Sequence, residues 1–158
     1  MNTLKVFIVA FFLLTASYSG SANTGVTTIY FFESAVCPHC KQANEYFEKN
    51  KQKFQKIKII KYELLNKNGV MDQNNKKNLQ ILVSMLEKIK KQKGDKPFIY
   101  FERVAYSYYT KNGLPYYKSA DRYSKKDEPV PVPLFIINDT VFLGFDNFVI
   151  SKIEKSIN

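Results

Sequence analysis

The chain has 158 residues, a formal net charge of +10, 45% hydrophobic residues, two cysteines and one histidine. That length fits one domain with a sizeable core. A structural zinc site wants four protein ligands; two cysteines and one histidine would need a carboxylate to complete it, and no clustered set is visible, while a Ser–His–Asp triad would have to use His39. No glycine-rich phosphate loop or dinucleotide fingerprint is present.

The N-terminus reads as a secretory signal over residues 1–22. Lys5 supplies a basic start, Val6–Leu14 is almost unbroken apolar sequence, and small residues follow through Ala16, Ser17, Ser19, Gly20, Ser21 and Ala22. The apolar run is shorter than the roughly 20 residues a spanning helix needs. It suits an h-region with cleavage after Ala22; the rival is an uncleaved anchor. The mature domain, 23–158, is therefore expected outside the cytoplasm: in the periplasm if the source is Gram-negative, otherwise secreted. Losing Lys5 leaves it strongly basic. Nucleic acid is not an expected partner there, and the scattered lysines read as a solvated surface.

Thr28–Phe32 is β-branched and aromatic without charge, which predicts a buried strand. A helix is expected to open at Cys37, with Pro38 in its first turn and Ala43, Tyr46, Phe47, Asn50 and Phe54 on one face. Ile57–Leu65 reads as a second strand, with Ile57 and Ile59, then Tyr62 and Leu64, marking its apolar faces. Strand, helix and strand in this order suggest a parallel βαβ unit. After a polar loop over 66–75, a helix is expected from about Lys76 to Lys91, with Leu79, Leu82, Val83, Leu86 and Ile89 inward and Gly94 and Pro97 ending it.

Residues 98–128 carry seven tyrosines, with one turn signal at Asn112-Gly113. They fit a hairpin, a helix with a loop, or a lid. A core-covering insertion is preferred to a client-binding surface. Beyond it, Leu134–Ile137 and Thr140–Leu143 read as strands joined at Asn138-Asp139. A last helix is expected over about 146–157, with Phe145, Val149, Ile153 and Ile157 on one stripe.

Cys37-Pro38-His39-Cys40 holds the only cysteines. A bond closing so short a loop removes little chain entropy, so it is a poor staple and makes better sense as a reactive pair. The N-terminus of a helix stabilises a thiolate at Cys37, and His39 between the cysteines has the same use. Two other readings stay open: a soft-metal site, such as Cu(I), on the two thiols and His39, and a non-enzymatic adaptor working through the tyrosines.

The Cys37-Pro38-His39-Cys40 motif, with Ser34 three residues ahead, and the distant run Val132-Pro133-Leu134-Phe135-Ile136-Ile137-Asn138 together resemble the thioredoxin superfamily. The dipeptide between the cysteines resembles its exported, disulfide-donating DsbA type. The resemblance implies an α/β, thioredoxin-like fold: a central mixed sheet flanked by helices, with an insertion before the cis-proline strand. It implies that Cys37 is the nucleophile and Cys40 the resolving thiol. Val132 and Pro133 are implied as the client-binding residues, Pro133 as a cis-proline against the disulfide. It also implies exchange of disulfides with client proteins, with an oxidant preferred and a periplasmic disulfide reductase as the alternative, and no cofactor beyond the redox-active disulfide. A membrane redox partner would reset the cysteines, and the protein is expected as a monomer without a metal.

Two features depart from that pattern. The insertion is shorter than in the DsbA type. The acid that related families often carry six positions before the first cysteine is replaced by Phe31. Glu33 lies nearby, on the strand face opposite to its immediate neighbours.

Overall fold

The computed structural model describes residues 26–118, 128–129 and 131–156. The expected signal over 1–22, its cleavage point and Ile157 lie outside those residues, as does the stretch 119–127. The elements in chain order are β1 (Thr28–Ser34), α1 (Pro38–Lys49), β2 (Lys58–Leu65), α2 (Gln73–Lys93) and β3 (Ile99–Phe101). They continue with β4 (Val104–Lys111), β5 (Leu114–Lys118), β6 (Glu128–Pro129), β7 (Leu134–Ile137), β8 (Thr140–Leu143) and α3 (Asn147–Lys155). The strands form one mixed sheet in the order β2-β1-β7-β8-β3-β4-β5-β6. β1 runs parallel to β2 and antiparallel to β7, and β3 runs parallel to β8. The protein is therefore α/β, with helices on both faces of a mixed sheet.

Strand alternation sorts the apolar residues into two layers. Ile29 and Phe31 of β1, Phe135 and Ile137 of β7 and Phe142 of β8 face α1 and α3, where Ala43, Phe47, Val149 and Ile153 meet them. Phe32, Leu134, Ile136, Val141 and Leu143 face the other way, onto Leu82, Leu86 and Ile89 of α2. Covering on both faces explains why these strands read as unbroken apolar runs. Leu79 packs half-buried at the edge of the α2 layer, and Val83, expected inward, is only half-buried.

Two expected boundaries move. α1 stops at Lys49, so Phe54 is not on the helix face; it is buried from the turns that follow, edge-on to Tyr46 and Phe47. α2 starts a turn early because Asp72 and Asn75 form a capping box that satisfies the first free N–H groups. Within 98–118, the open choice resolves into strands: β3, β4 and β5 extend the sheet as a meander. Its turns at Glu102-Arg103 and Asn112-Gly113 hold both residues at positive φ, as two-residue hairpins require.

Candidate thiol site

At the end of β1 the Ala35 N–H donates to the Leu65 carbonyl of β2 (3.1 Å), and the Cys37 N–H donates to the Ser34 carbonyl (3.1 Å). This turn delivers Cys37 as the N-cap of α1, with extended backbone, and Pro38 at the helix start, where a missing N–H costs nothing. The Cys40 N–H donates to Cys37 Sγ (3.4 Å), so the sulfur takes the place of a capping oxygen.

Both cysteines are free thiols in unequal surroundings. Cys37 is half-buried, whereas Cys40 is 1% exposed and accepts the Ser34 N–H (3.4 Å). Burial pushes the Cys40 thiol well above the usual thiol range, and its hydrogen bond with Cys37 pushes the same way. The Ser34 N–H opposes them, and the nearby negative charge of Glu33 adds a small upward push.

The second sequence motif arrives at the first. Cys37 Sγ donates to the Val132 carbonyl at 3.5 Å, across 95 residues of sequence. The Val132-Pro133 bond is cis. The Pro133 carbonyl accepts the Gly144 N–H (2.8 Å), which ties this corner to the end of β8. His39 is exposed, with Nδ1 3.2 Å from Gln42 Oε1 on its own helix. It shares a pocket of about 310 Å³ with Val132, Pro133 and Phe145. The six expected site residues, Cys37, Pro38, His39, Cys40, Val132 and Pro133, thus gather at one end of the sheet. Among the described residues no group of three or more His, Cys, Asp or Glu side chains is placed to hold a metal ion. No helix among them is long and apolar enough to cross a membrane.

Joined to Glu33 by hydrogen bonds are two residues that the sequence does not single out, Asn44 and Lys61. Phe31 fills the position where an acid is expected; it is fully buried and stacked on Phe135 (centroids 4.7 Å apart). Glu33 lies two residues on, hence on the same strand face, and lines an open cleft of about 570 Å³ together with Cys40, Lys41, Asn44 and Glu63. The Asn44 amide donates to the Glu33 carboxylate, and Lys61 Nζ donates to Asn44 Oδ1 (2.6 Å). The available signals were spacing: Asn44 is four residues after Cys40 on the helix, and Lys61 pairs with Phe31 across β1–β2. Compared with known proteins, the chain matches no family model, and no curated protein or solved structure matches it.

Proposed function

We propose that this chain is an exported thiol–disulfide oxidoreductase of thioredoxin-like fold, exchanging disulfides with client proteins through Cys37 and Cys40. The observation that carries the proposal is the 3.5 Å contact between Cys37 Sγ and the Val132 carbonyl. It sets a half-buried thiol at a helix N-terminus beside a backbone group that an extended client strand can pair with. A parallel β1–α1–β2 unit and an antiparallel β7–β8 pair followed by α3, all in one sheet, support the fold reading. The apolar stretch Val6–Leu14 and the small residues after it support export.

In the donating direction a client thiolate attacks Cys37 Sγ of the Cys37–Cys40 disulfide. The protein's S–S bond breaks, Cys40 leaves as a thiolate, and a mixed disulfide joins client to Cys37. Burial disfavours that thiolate, so Cys40 takes up a proton, and the cleft that Cys40 shares with Glu33 offers a polar route for it. A second client thiolate then attacks the client's own sulfur, forming the client disulfide and releasing Cys37. Two electrons have passed from client to protein, and a redox partner must remove them. Run backwards, the same residues reduce a client disulfide; the potential of the pair sets the direction.

Equilibration with glutathione, read by alkylation and mass, tests the reading. A potential near about −120 mV marks a disulfide donor, and one near about −270 mV a reductase. Cys37→Ser is expected to abolish exchange, while Cys40→Ser is expected to accumulate mixed disulfides with clients. A pair that neither cycles nor traps sinks the proposal, and copper content after purification under reducing conditions then tests the soft-metal reading.

A further inference from the structure

Another cavity, of about 270 Å³, shares Pro131 and Val132 with the His39 pocket, and the Val132 carbonyl is the group that Cys37 Sγ contacts. Leu64, Met71, Leu79, Leu114, Pro115 and Val132 form most of its wall, and no charged residue lines it. Exposed apolar residues also adjoin Cys37 and the cavity wall in the chain. Val36, which precedes Cys37, and Val70, which precedes Met71, are 51% and 57% exposed, and Leu114 in the wall is 38% exposed. These are three of the six large apolar side chains exposed among the described residues. The Gly69-Val70 loop lies against Val36: a Cβ placed on Gly69 would sit 4.0 Å from Val36 Cγ2. Val36, Gly69, Val70 and Met71 thus link the residue before the nucleophile to the cavity wall. Exposed apolar surface gathered in this way marks an interaction site.

Resting on the exchange reading above, we infer that this cavity receives an apolar side chain of the client, at a position immediately next to its reactive cysteine. Two observations fix the occupant. The first is continuity: Val132 holds Cys37 Sγ through its carbonyl and forms one wall of the cavity, so a chain paired along Val132 passes both. The second is side. Cys37 packs with the layer under α1, whereas Leu64 and Leu82 of the cavity belong to the layer under α2. In an extended client, successive side chains point to opposite faces. A cysteine directed at Cys37 therefore sends its immediate neighbours toward the α2 side. Leu114 and Pro115 bring the β4–β5 turn into this wall, which gives the tyrosine-rich meander a part in client selection.

The test uses the mature Cys40→Ser protein with Cys37 loaded as a mixed disulfide with thionitrobenzoate. A peptide thiolate attacking Cys37 Sγ forms the peptide–Cys37 disulfide and expels coloured thionitrobenzoate. Single-cysteine peptides with leucine on each side of the cysteine are compared with the same peptides carrying serine, and glutathione reports the thiol chemistry itself. Leucine peptides are expected to react roughly tenfold faster than serine peptides. That ratio is expected to fall toward one in Leu114→Lys and in Val70→Lys, both changes at exposed positions. Equal peptide rates alongside brisk glutathione reaction overturn the inference and leave the exchange reading standing. A leucine preference that survives both variants overturns it too. If the protein is a dimer that Leu114→Lys dissociates, the cavity holds a second copy and the client assignment falls. Release by neither glutathione nor any peptide overturns both readings.

Discussion

The two ends of the sheet are built by different means. At the β2-β1-β7-β8 end, helices cover both faces, and all four residues of β7 are buried. At the β3-β4-β5 end, the layer under α1 and α3 draws in Tyr100 of β3 but no residue of β4 or β5, and only Tyr108 of β4 is buried. There the packing is aromatic and local: Tyr106 meets Tyr117 edge-on, and Tyr109 stacks on Tyr116 (5.5 Å). The contrast explains where the two thiols sit. A contact between residues 95 positions apart needs a frame that fixes both, and the doubly covered end supplies it. The singly covered end contributes a turn to the wall of the neighbouring cavity.

The sharpest way to break this comparison is to remove one ring from each end. Phe135 stacks on Phe31 and lies within 6.2 Å of Phe47 and 6.0 Å of Phe145. Phe135→Ala is expected to cost about 3–5 kcal/mol in urea unfolding. Tyr116 is half-buried and stacks on one cross-strand ring, so Tyr116→Ala is expected to cost about 1 kcal/mol. Equal costs would show that the meander carries as much of the core as the helix-covered strands.

A second contrast lies inside the covered end, between the two thiols. With the protein reduced at pH 8, iodoacetamide is expected to modify Cys37 roughly a hundredfold faster than Cys40, because the thiolate is the reactive form and Cys40 is both buried and held protonated. The Cys40 rate should keep climbing into strongly alkaline solution. Glu33→Gln removes a charge that adds a small upward push on the Cys40 thiol, so it is expected to speed Cys40 alkylation by no more than about twofold. If Glu33 also carries the proton, the same variant slows client turnover at neutral pH. Opposite movement of the two rates separates proton transfer from simple repulsion.

Legibility in the sequence follows the same division. Phe31-Phe32 and Leu134–Ile137 are read as buried strands because burial on both faces forces unbroken apolar runs. The cysteine pair and Val132-Pro133 could be matched by their order, although their contact could not be seen. The meander was obscure for a physical reason. Its turns at Glu102-Arg103 (φ 47° and 72°) and Asn112-Gly113 (φ 52° and 73°) have nearly the same backbone, yet only the second uses residues that favour it. Arg103 adopts a left-handed conformation that neighbouring strands must impose. Arg103→Gly is therefore expected to stabilise the protein by about 1 kcal/mol, measured by urea midpoint. No gain would mean that contacts of the Arg103 side chain offset its backbone strain.

The smallest expected effect concerns the tie between the two helices on the α1 side. Glu154 of α3 accepts from Tyr46 Oη of α1 (2.7 Å) and pairs with Lys53. The Lys53 hydrogen bond, then that of Tyr46, holds the Glu154 carboxyl below its usual range. Such a group stabilises the fold fully above its unfolded value, about 4.3, and loses that contribution as pH falls through the lower folded value. The thermal midpoints of the native protein and Glu154→Gln should differ by a constant amount from pH 7 to 5, and the gap should close in stronger acid. Because Lys53 and Glu154 are 46% and 37% exposed, high salt should narrow the gap at neutral pH. The absence of a gap at any pH or salt concentration assigns the tie to the Tyr46 ring, which lies edge-on to Phe47, Phe54 and Phe145. In that case apolar packing, in which Ala43 and Phe47 also take part, holds α1 against the sheet without help from the ion pair.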